Sequence, residues 1–281
     1  MATTAVASTS PSPFGHELRR RRTLRRVSQL ELAVLAGTTQ RHLSFVESGR
    51  SLPGRAMVVR LAEALGLTLR ERNALLLKAG YAPAYAESPR DGAAIEPAMT
   101  ALGSILTGHL PYPAVVAGAR GELVLANEAF GVLTEGAAAH LLEPPVNVLR
   151  LALHPEGMAP RVVNLAAWGR HITQSVRARA AAHPDPELDA LLAELSGYLP
   201  PGVVPGPDHL GFAVPLRLRT GDGELRLLTT LTSFATAVDV TLAELHLEAF
   251  LPADAESGEL LRRREEARTG VGPEVSRSRR E

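Results

Sequence analysis

The chain of 281 residues contains no cysteine. That excludes a disulfide framework, a thiolate metal site and a thiol nucleophile, and it suits a reducing cytosol. Its single lysine is Lys78. No Ser-Lys protease dyad and no Schiff-base lysine for pyridoxal phosphate can therefore lie beyond that point. No apolar run approaches the roughly 18 residues of a membrane span. The opening "MATTAVASTSPSP" has neither the basic nor the apolar region of a signal peptide. Walker loop, GxGxxG after a strand, HExxH and GxSxG are all missing. The nine histidines (His16, His42, His109, His140, His154, His171, His183, His209 and His246) have no i+3 or i+4 partner of the kind a metal site uses. These absences lead to the expectation of a soluble, cytoplasmic, non-enzymatic protein without cofactor or metal.

What is present is uneven. Hydrophobic residues make up 45% of the chain, enough for a sizeable core, and the net charge is zero. Yet residues 14–80 hold 13 Lys+Arg against 5 Asp+Glu, a net of +8, and residues 81–281 hold 17 against 25, a net of −8. A basic third joined to an acidic remainder points to a polyanionic partner for the basic part. The competing reading is an unevenly solvated surface.

The first 13 residues are small and polar and read as disordered. Five short helices follow in residues 14–80. The first runs from about Phe14 to Leu24. The second opens on Ser28 with Glu31 three residues later, a capping box, and Val27 and Leu32 are spaced as a hydrophobic staple. It must end near Ala36, because Gly37 supplies the positive φ of a tight turn. Thr39 caps a third helix reaching about Glu47, and the breaker-rich "SGRSLPG" follows. A fourth spans about Arg55 to Leu65, and "TLRE" at 68–71 is a second capping box that opens a fifth, closed by Gly80.

Residues 81–97 read as a linker. Residues 98–252 read as a second, α+β domain. "PAVVAGARGELVLAN" is a hairpin turning at Arg120-Gly121. Helical stretches are expected at 127–134, about 146–153, about 160–182 and 186–197, with Asn127 as the N-cap of the first. After the loop "LPPGVVPGPDH", "LGFAVPLRLRT" alternates with Leu210, Phe212, Val214, Leu216 and Leu218 on one face and Arg217 and Arg219 on the other. "GDG" turns the chain into "ELRLLTTLTSF". "VTLAELHLEAF" alternates again, with Glu244, His246 and Glu248 facing outwards. An antiparallel sheet of about five strands with helices against one face results. Residues 253–281 read as a frayed helix or charged tail.

The second helix, a glycine turn and the third helix form a helix-turn-helix. Leu32 and Ala33 must pack on Leu43 and Val46. The opposite side of the third helix carries Gln40, Arg41, Ser44 and Phe45, a stripe at the end that enters a major groove. Gln suits adenine and Arg suits guanine, each bidentate, and Phe45 can touch thymine methyls. A five-helix interaction module that never meets DNA is the alternative. "RRRRTLRR" at 19–26 reads equally as a solvated face or as arginines along phosphate.

The segment resembles the XRE/Cro-type, lambda-repressor-like helix-turn-helix regulators, over about residues 14–66 and on the text "SQLELA…GTTQ…VESGR". The resemblance implies Gln40, Arg41 and Phe45 as base readers. It implies Gln29, Ser48, Arg50 and Arg55 as phosphate contacts, with Ser44 added to the reading stripe and the caps Ser28 and Thr39 to the phosphate set. Arg22 and Glu47 match the family's buried ion pair. Phe45 departs from the polar residue common there.

The second domain, on "TSFATAVDVTLAELHLEAFLPAD" together with the helical text before it, is similar to regulators that carry an MmyB-like ligand-binding domain. That implies a PAS-like α+β fold with an apolar cavity for fatty-acid-like or other small hydrophobic ligands. A homodimer with two recognition helices on a near-palindromic operator is the expected way of binding DNA. "VLANEAF" at 124–130 resembles the PAS strand-to-helix entry. Phe130, Trp168, Phe212 and Phe234 are the candidate ligand contacts, with plain core packing as their competing role. Arg170 or His171 could meet a ligand carboxylate, with a plain surface charge as the favoured role. A DNA-binding antitoxin or scaffold whose second domain holds a protein partner is the alternative function.

Overall fold

Local capping chemistry sets the first helices. The computed structural model describes residues 12–200, 213–234 and 236–270. Ser12 Oγ accepts the Gly15 N–H and opens α1 (Pro13–Leu24). Both capping boxes form, Ser28–Glu31 at α2 (Gln29–Leu35) and Thr68–Glu71 at α5 (Leu69–Lys78). Thr39 caps α3 (Gln40–Glu47), and α4 (Arg55–Ala64) completes the set. Their shared core includes Phe14, Leu18, Leu32, Leu43, Val46, Leu61 and Leu75. Glycine at position 15 has a steric reason: a Cβ there would lie 2.6 Å from the carbonyl oxygens of Val46 and Glu47.

Part of the arginine run at α1 is turned inward, which the sequence did not reveal. Arg20 and Arg21 pair with Glu17, Arg21 also with Glu71, and Arg22 with Glu47. Arg25 lies 3.5 Å from Glu71. Arg21, Arg22 and Arg25 thus tie this end of α1 to carboxylates of later helices, while Arg19, Arg20 and Arg26 stay exposed.

The chain divides into two compact units. The first runs to Gly92 and takes in a short later segment that ends at Ala243. Residues 81–92, expected to be a bare linker, belong to it. Asn73 Oδ1 accepts the N–H groups of Ala84 and Tyr85, its amide donates to the Tyr85 carbonyl, and Tyr81 donates its hydroxyl to the Pro53 carbonyl. The later segment joins this edge. Val240 N–H donates to the Ala86 carbonyl, Ser88 N–H to the buried Asp239 carboxylate, and Thr241 Oγ1 to the Ser88 carbonyl.

The second unit contains α6 (Glu96–Gly108), β1 (Ala114–Ala117), β2 (Leu123–Ala126), α7 (Gly131–Thr134), α8 (Val148–Leu153), α9 (Leu165–Ala182), α10 (Pro186–Gly197), β3 (Leu216–Thr220) and β4 (Gly223–Ser233). The segment of the first unit contributes α11 (Val240–Ala243); β5 (His246–Pro252) and α12 (Ala255–Thr269) complete the second unit. The five strands form one antiparallel sheet in the order β2-β1-β5-β4-β3. Gly121, at φ +84°, turns the β1–β2 hairpin. Leu216, Leu218, Leu225, Leu227 and Phe250 meet Leu149, Leu153, Trp168, Val176 and Leu195 in the core.

Several expectations need correction. "VTLA" is one helical turn, not strand, because Asp239 Oδ1 caps it by accepting the Thr241 N–H at 2.8 Å. The strand begins at His246, which is buried, and Glu248 turns towards the interior and not outwards. The expected tail is α12: Asp254 caps it through the Ser257 N–H, and Leu260 and Leu261 are buried. Helix α6 was not anticipated. Asn127 stands at a cap position, but its side chain binds the Ala114 N–H and the Leu106 and Tyr112 carbonyls instead. Leu210 and Phe212 lie outside the described residues, so the alternation there is seen only from Leu216 and Leu218 onward. No helix among the described residues is long and apolar enough to cross a membrane.

Candidate DNA-reading face and ligand cavity

Two short caps and one glycine orient α3. Gly37 takes φ +64°, and Thr38 N–H closes the end of α2 on the Ala33 carbonyl at 2.8 Å. Thr39 Oγ1 accepts the His42 N–H at 3.1 Å. Helical spacing then divides α3. Leu43, Val46 and Glu47 are buried, Gln40 and Arg41 are exposed, and Ser44 and Phe45 are half-buried. The polar stripe is thus open to solvent and backed by core.

Glu47 anchors the far end. It is 5% exposed and receives Arg22 through two hydrogen bonds, of 2.7 and 3.0 Å. Arg22 also donates to the Val27 carbonyl at 2.9 Å. Its hydrogen bond to Glu47 raises the guanidinium's pKa still further. Gln29 adds an amide N–H to Glu47 at 2.7 Å, leaving its second N–H for another acceptor. Ser28 and Thr39 each use the side-chain oxygen in a cap, and both, like Arg50 and Arg55, are exposed.

Beyond α3 the chain folds back. Gly49 adopts φ +77°, and the N–H groups of Arg50 and Ser51 donate to the Phe45 carbonyl at 2.8 and 3.2 Å. Ser48 Oγ donates to the same oxygen. The guanidinium of Arg41 lies 5.4 Å and that of Arg50 5.9 Å from the centroid of the Phe45 ring.

The second unit encloses a cavity of about 200 Å³. Phe130, Leu133, Trp168, Val176, Leu231 and Phe250 supply much of its apolar wall. His171, Ser175, Arg179, Thr229 and Glu248 supply polar groups. Arg179 and Glu248 escaped the sequence reading, since nothing local distinguishes them from surface charges. Arg179 donates to the Ala119 carbonyl at 3.2 Å, but its Nε is buried without a hydrogen-bond partner. Desolvation lowers its pKa against the pull of Glu248 and Glu122. Of the four aromatic candidates, Phe130 and Trp168 line this cavity. Phe234 does not. It lies past the end of β4, in a separate hollow with Leu102, Ile105 and Leu247. Phe212 is outside the described residues.

Folding also brings together His140, His154 and Glu156, whose ligand atoms lie within 4.8 Å of one another. The Glu156 N–H donates to His154 Nδ1 at 3.0 Å, so the proton of the neutral ring sits on Nε2. The trio therefore does not offer three lone pairs to a cation.

Comparison with known proteins adds the following. The family model for the MmyB-like transcription regulator ligand binding domain matches residues 98–263, and a helix-turn-helix domain model matches residues 13–75. No curated protein matches the chain. Among solved structures, the restriction-modification controller protein C.AhdI from Aeromonas hydrophila is 34% identical over 22% of this chain and 92% of its own, with a TM-score of 0.21. An RNA-binding light-oxygen-voltage receptor is 16% identical over 92% of this chain and 63% of its own, with a TM-score of 0.28.

Proposed function

Because the chain belongs to the MmyB-like transcription regulators, we propose that it reads a specific operator with α3 and changes its occupancy of that operator when an amphiphile fills the cavity. The matched domains are DNA-binding and ligand-binding, and they make the chain a ligand-sensing transcription regulator. The specific reading goes further. Gln40, Arg41, Ser44 and Phe45 face the bases. Ser28, Gln29, Thr39, Ser48, Arg50 and Arg55 meet the phosphates. The carrying observation is the stripe on α3 with Gln40 and Arg41 exposed and Ser44 and Phe45 half-buried, while Leu43, Val46 and Glu47 on the other side are buried. As a homodimer, the protein would set two such helices about 34–36 Å apart, one turn of duplex. Action on chromosomal DNA, without catalysis, gives it a cytoplasmic place of work.

The ligand is a fatty-acid-like molecule. The apolar wall takes its chain, and the orphaned Nε of Arg179 supports a carboxylate head at the polar end. A ligand acts only through unequal affinity for two states of the regulator. Selection of bound duplexes from random DNA, with and without a cell lipid extract, tests both halves. Enrichment of one near-palindromic motif, weakened or strengthened by the extract, is expected. Retention of random DNA with no motif would remove the base-reading assignment. For the cavity, Trp168 is the only tryptophan and stands in the wall. Its emission should change on titration with tetradecanoate, and no change at saturating fatty acid would remove the ligand assignment.

A further inference from the structure

The Phe45 ring does more than sit on the reading face. The sequence places Arg41 one helical turn before Phe45, on the same side of α3. Arg50 would continue away from that side if the helix ran on. The Gly49 turn prevents this, and the bonds from Arg50 N–H and Ser51 N–H to the Phe45 carbonyl bring the chain back. Both guanidinium groups then lie within the roughly 6 Å over which a cation is drawn to a ring face.

The contrast with α1 gives this meaning. There Arg20, Arg21 and Arg22 are oriented by carboxylates, which also neutralise them. Neither Arg41 nor Arg50 has a carboxylate partner among the described residues. A ring restrains an arginine without taking its N–H donors or its charge. The rotamer freedom otherwise lost on binding is reduced beforehand, while every donor remains available to DNA.

We propose that Phe45 is a positioning residue, which aims the guanidinium groups of Arg41 at a base and of Arg50 at the backbone, and is not itself a reader of thymine methyls. The proposal rests on α3 being the DNA-reading helix. The test compares Phe45→Leu and Phe45→Tyr in the full chain, on the duplex enriched by the selection above. Leucine keeps apolar bulk for a methyl contact but has no ring face; tyrosine keeps the face. Phe45→Leu should bind roughly 5- to 30-fold more weakly. It should lose preference at the base pair that Arg41→Ala also relaxes, and its salt slope should fall towards that of Arg50→Ala. Phe45→Tyr should stay near the parent. Added to an Arg41→Ala/Arg50→Ala double variant, Phe45→Leu should have little further effect. Parent-like binding by Phe45→Leu, or an undiminished loss in the triple variant, would overturn the proposal, since the ring would then be inert or itself a reader. Phe45→Met makes the same comparison if the leucine variant fails to fold. If Arg41→Ala and Arg50→Ala both bind as the parent does, it is the DNA-reading assignment of α3 that falls, whatever Phe45 shows.

Discussion

Replacing Arg22 by alanine tests whether the end of α3 is held as described. Side-chain exposure at the pair is 12% for Arg22 and 3% for Glu47, so the ions are shielded from water. The substitution removes both guanidinium hydrogen bonds and leaves Glu47 with the single one from Gln29. Removing one partner of a buried pair costs about 3–5 kcal/mol. The remaining Gln29 contact moderates this, so about 3 kcal/mol is expected. A unit of this size is stable by only about 5–15 kcal/mol. The helical unit should therefore melt roughly 10–20 °C earlier. Far-UV circular dichroism with a urea titration is the suitable assay, since α1 to α5 dominate that unit's signal. Trp168 fluorescence serves as an internal control, because that residue lies in the other unit. A loss below about 0.5 kcal/mol would place the pair among surface ion pairs and refute the reasoning. A second arm replaces both partners, Arg22→Met with Glu47→Leu. That variant should recover much of the loss, because no unpaired charge is left buried.

Other predictions follow from the same geometry. The Arg20 guanidinium, with Arg21 beside it, holds the Glu17 carboxyl down at about 2. A depressed acid stabilises the fold above its unfolded pKa, and that stability is lost as pH falls from about 4.3 towards 2. Glu17→Gln should flatten the acid limb of the helical unit's pH–stability curve in urea titrations; an unchanged limb contradicts the assignment. Glu194, held at about 2 by Arg150 and helped by Tyr198, predicts the same limb for the second unit, followed through Trp168 and removed by Glu194→Gln. Asp239→Ala deletes a helix cap and the Ser88 contact together, at a cost of about 1–2 kcal/mol. Its signature is faster amide exchange at Ser88 and Val240, and unchanged exchange there would count against the docking of that segment. Ala152→Phe puts bulk into the cavity wall and should reduce fatty-acid binding at least tenfold while DNA affinity without ligand is kept; undiminished binding would locate the ligand elsewhere.

The helices of the first unit were legible because their signals are local. Ser28 with Glu31, Thr68 with Glu71, and Gly37 after Ala36 each fix an end within a few residues of themselves. The α3 stripe was legible for the same reason, since a 3.6-residue period separates Leu43 and Val46 from Gln40 and Arg41. What escaped depends on distant partners. The alternation in "VTLAELHLEAF" is real, but Asp239 meets Ser88, and "VTLA" turns helical beside it. Charged α12 has a weak apolar stripe, yet Leu260 and Leu261 are buried in the core. Arg179 acquires its character only when α9 faces β5 across the cavity. The arginines of α1 read as one basic run, although two of their carboxylate partners, Glu47 and Glu71, lie 25 and 50 residues further on.

The excursion between β4 and β5 has a consequence for anyone recombining such regulators. The helical half is not encoded by one continuous stretch: its final piece arrives some 150 residues later, after the chain has built most of the sheet. A swap that exchanges everything after Gly92 replaces that piece too. The borrowed sensor would then have to supply its own counterpart of Asp239, Val240 and Thr241, or leave the edge at Ala86 and Ser88 bare.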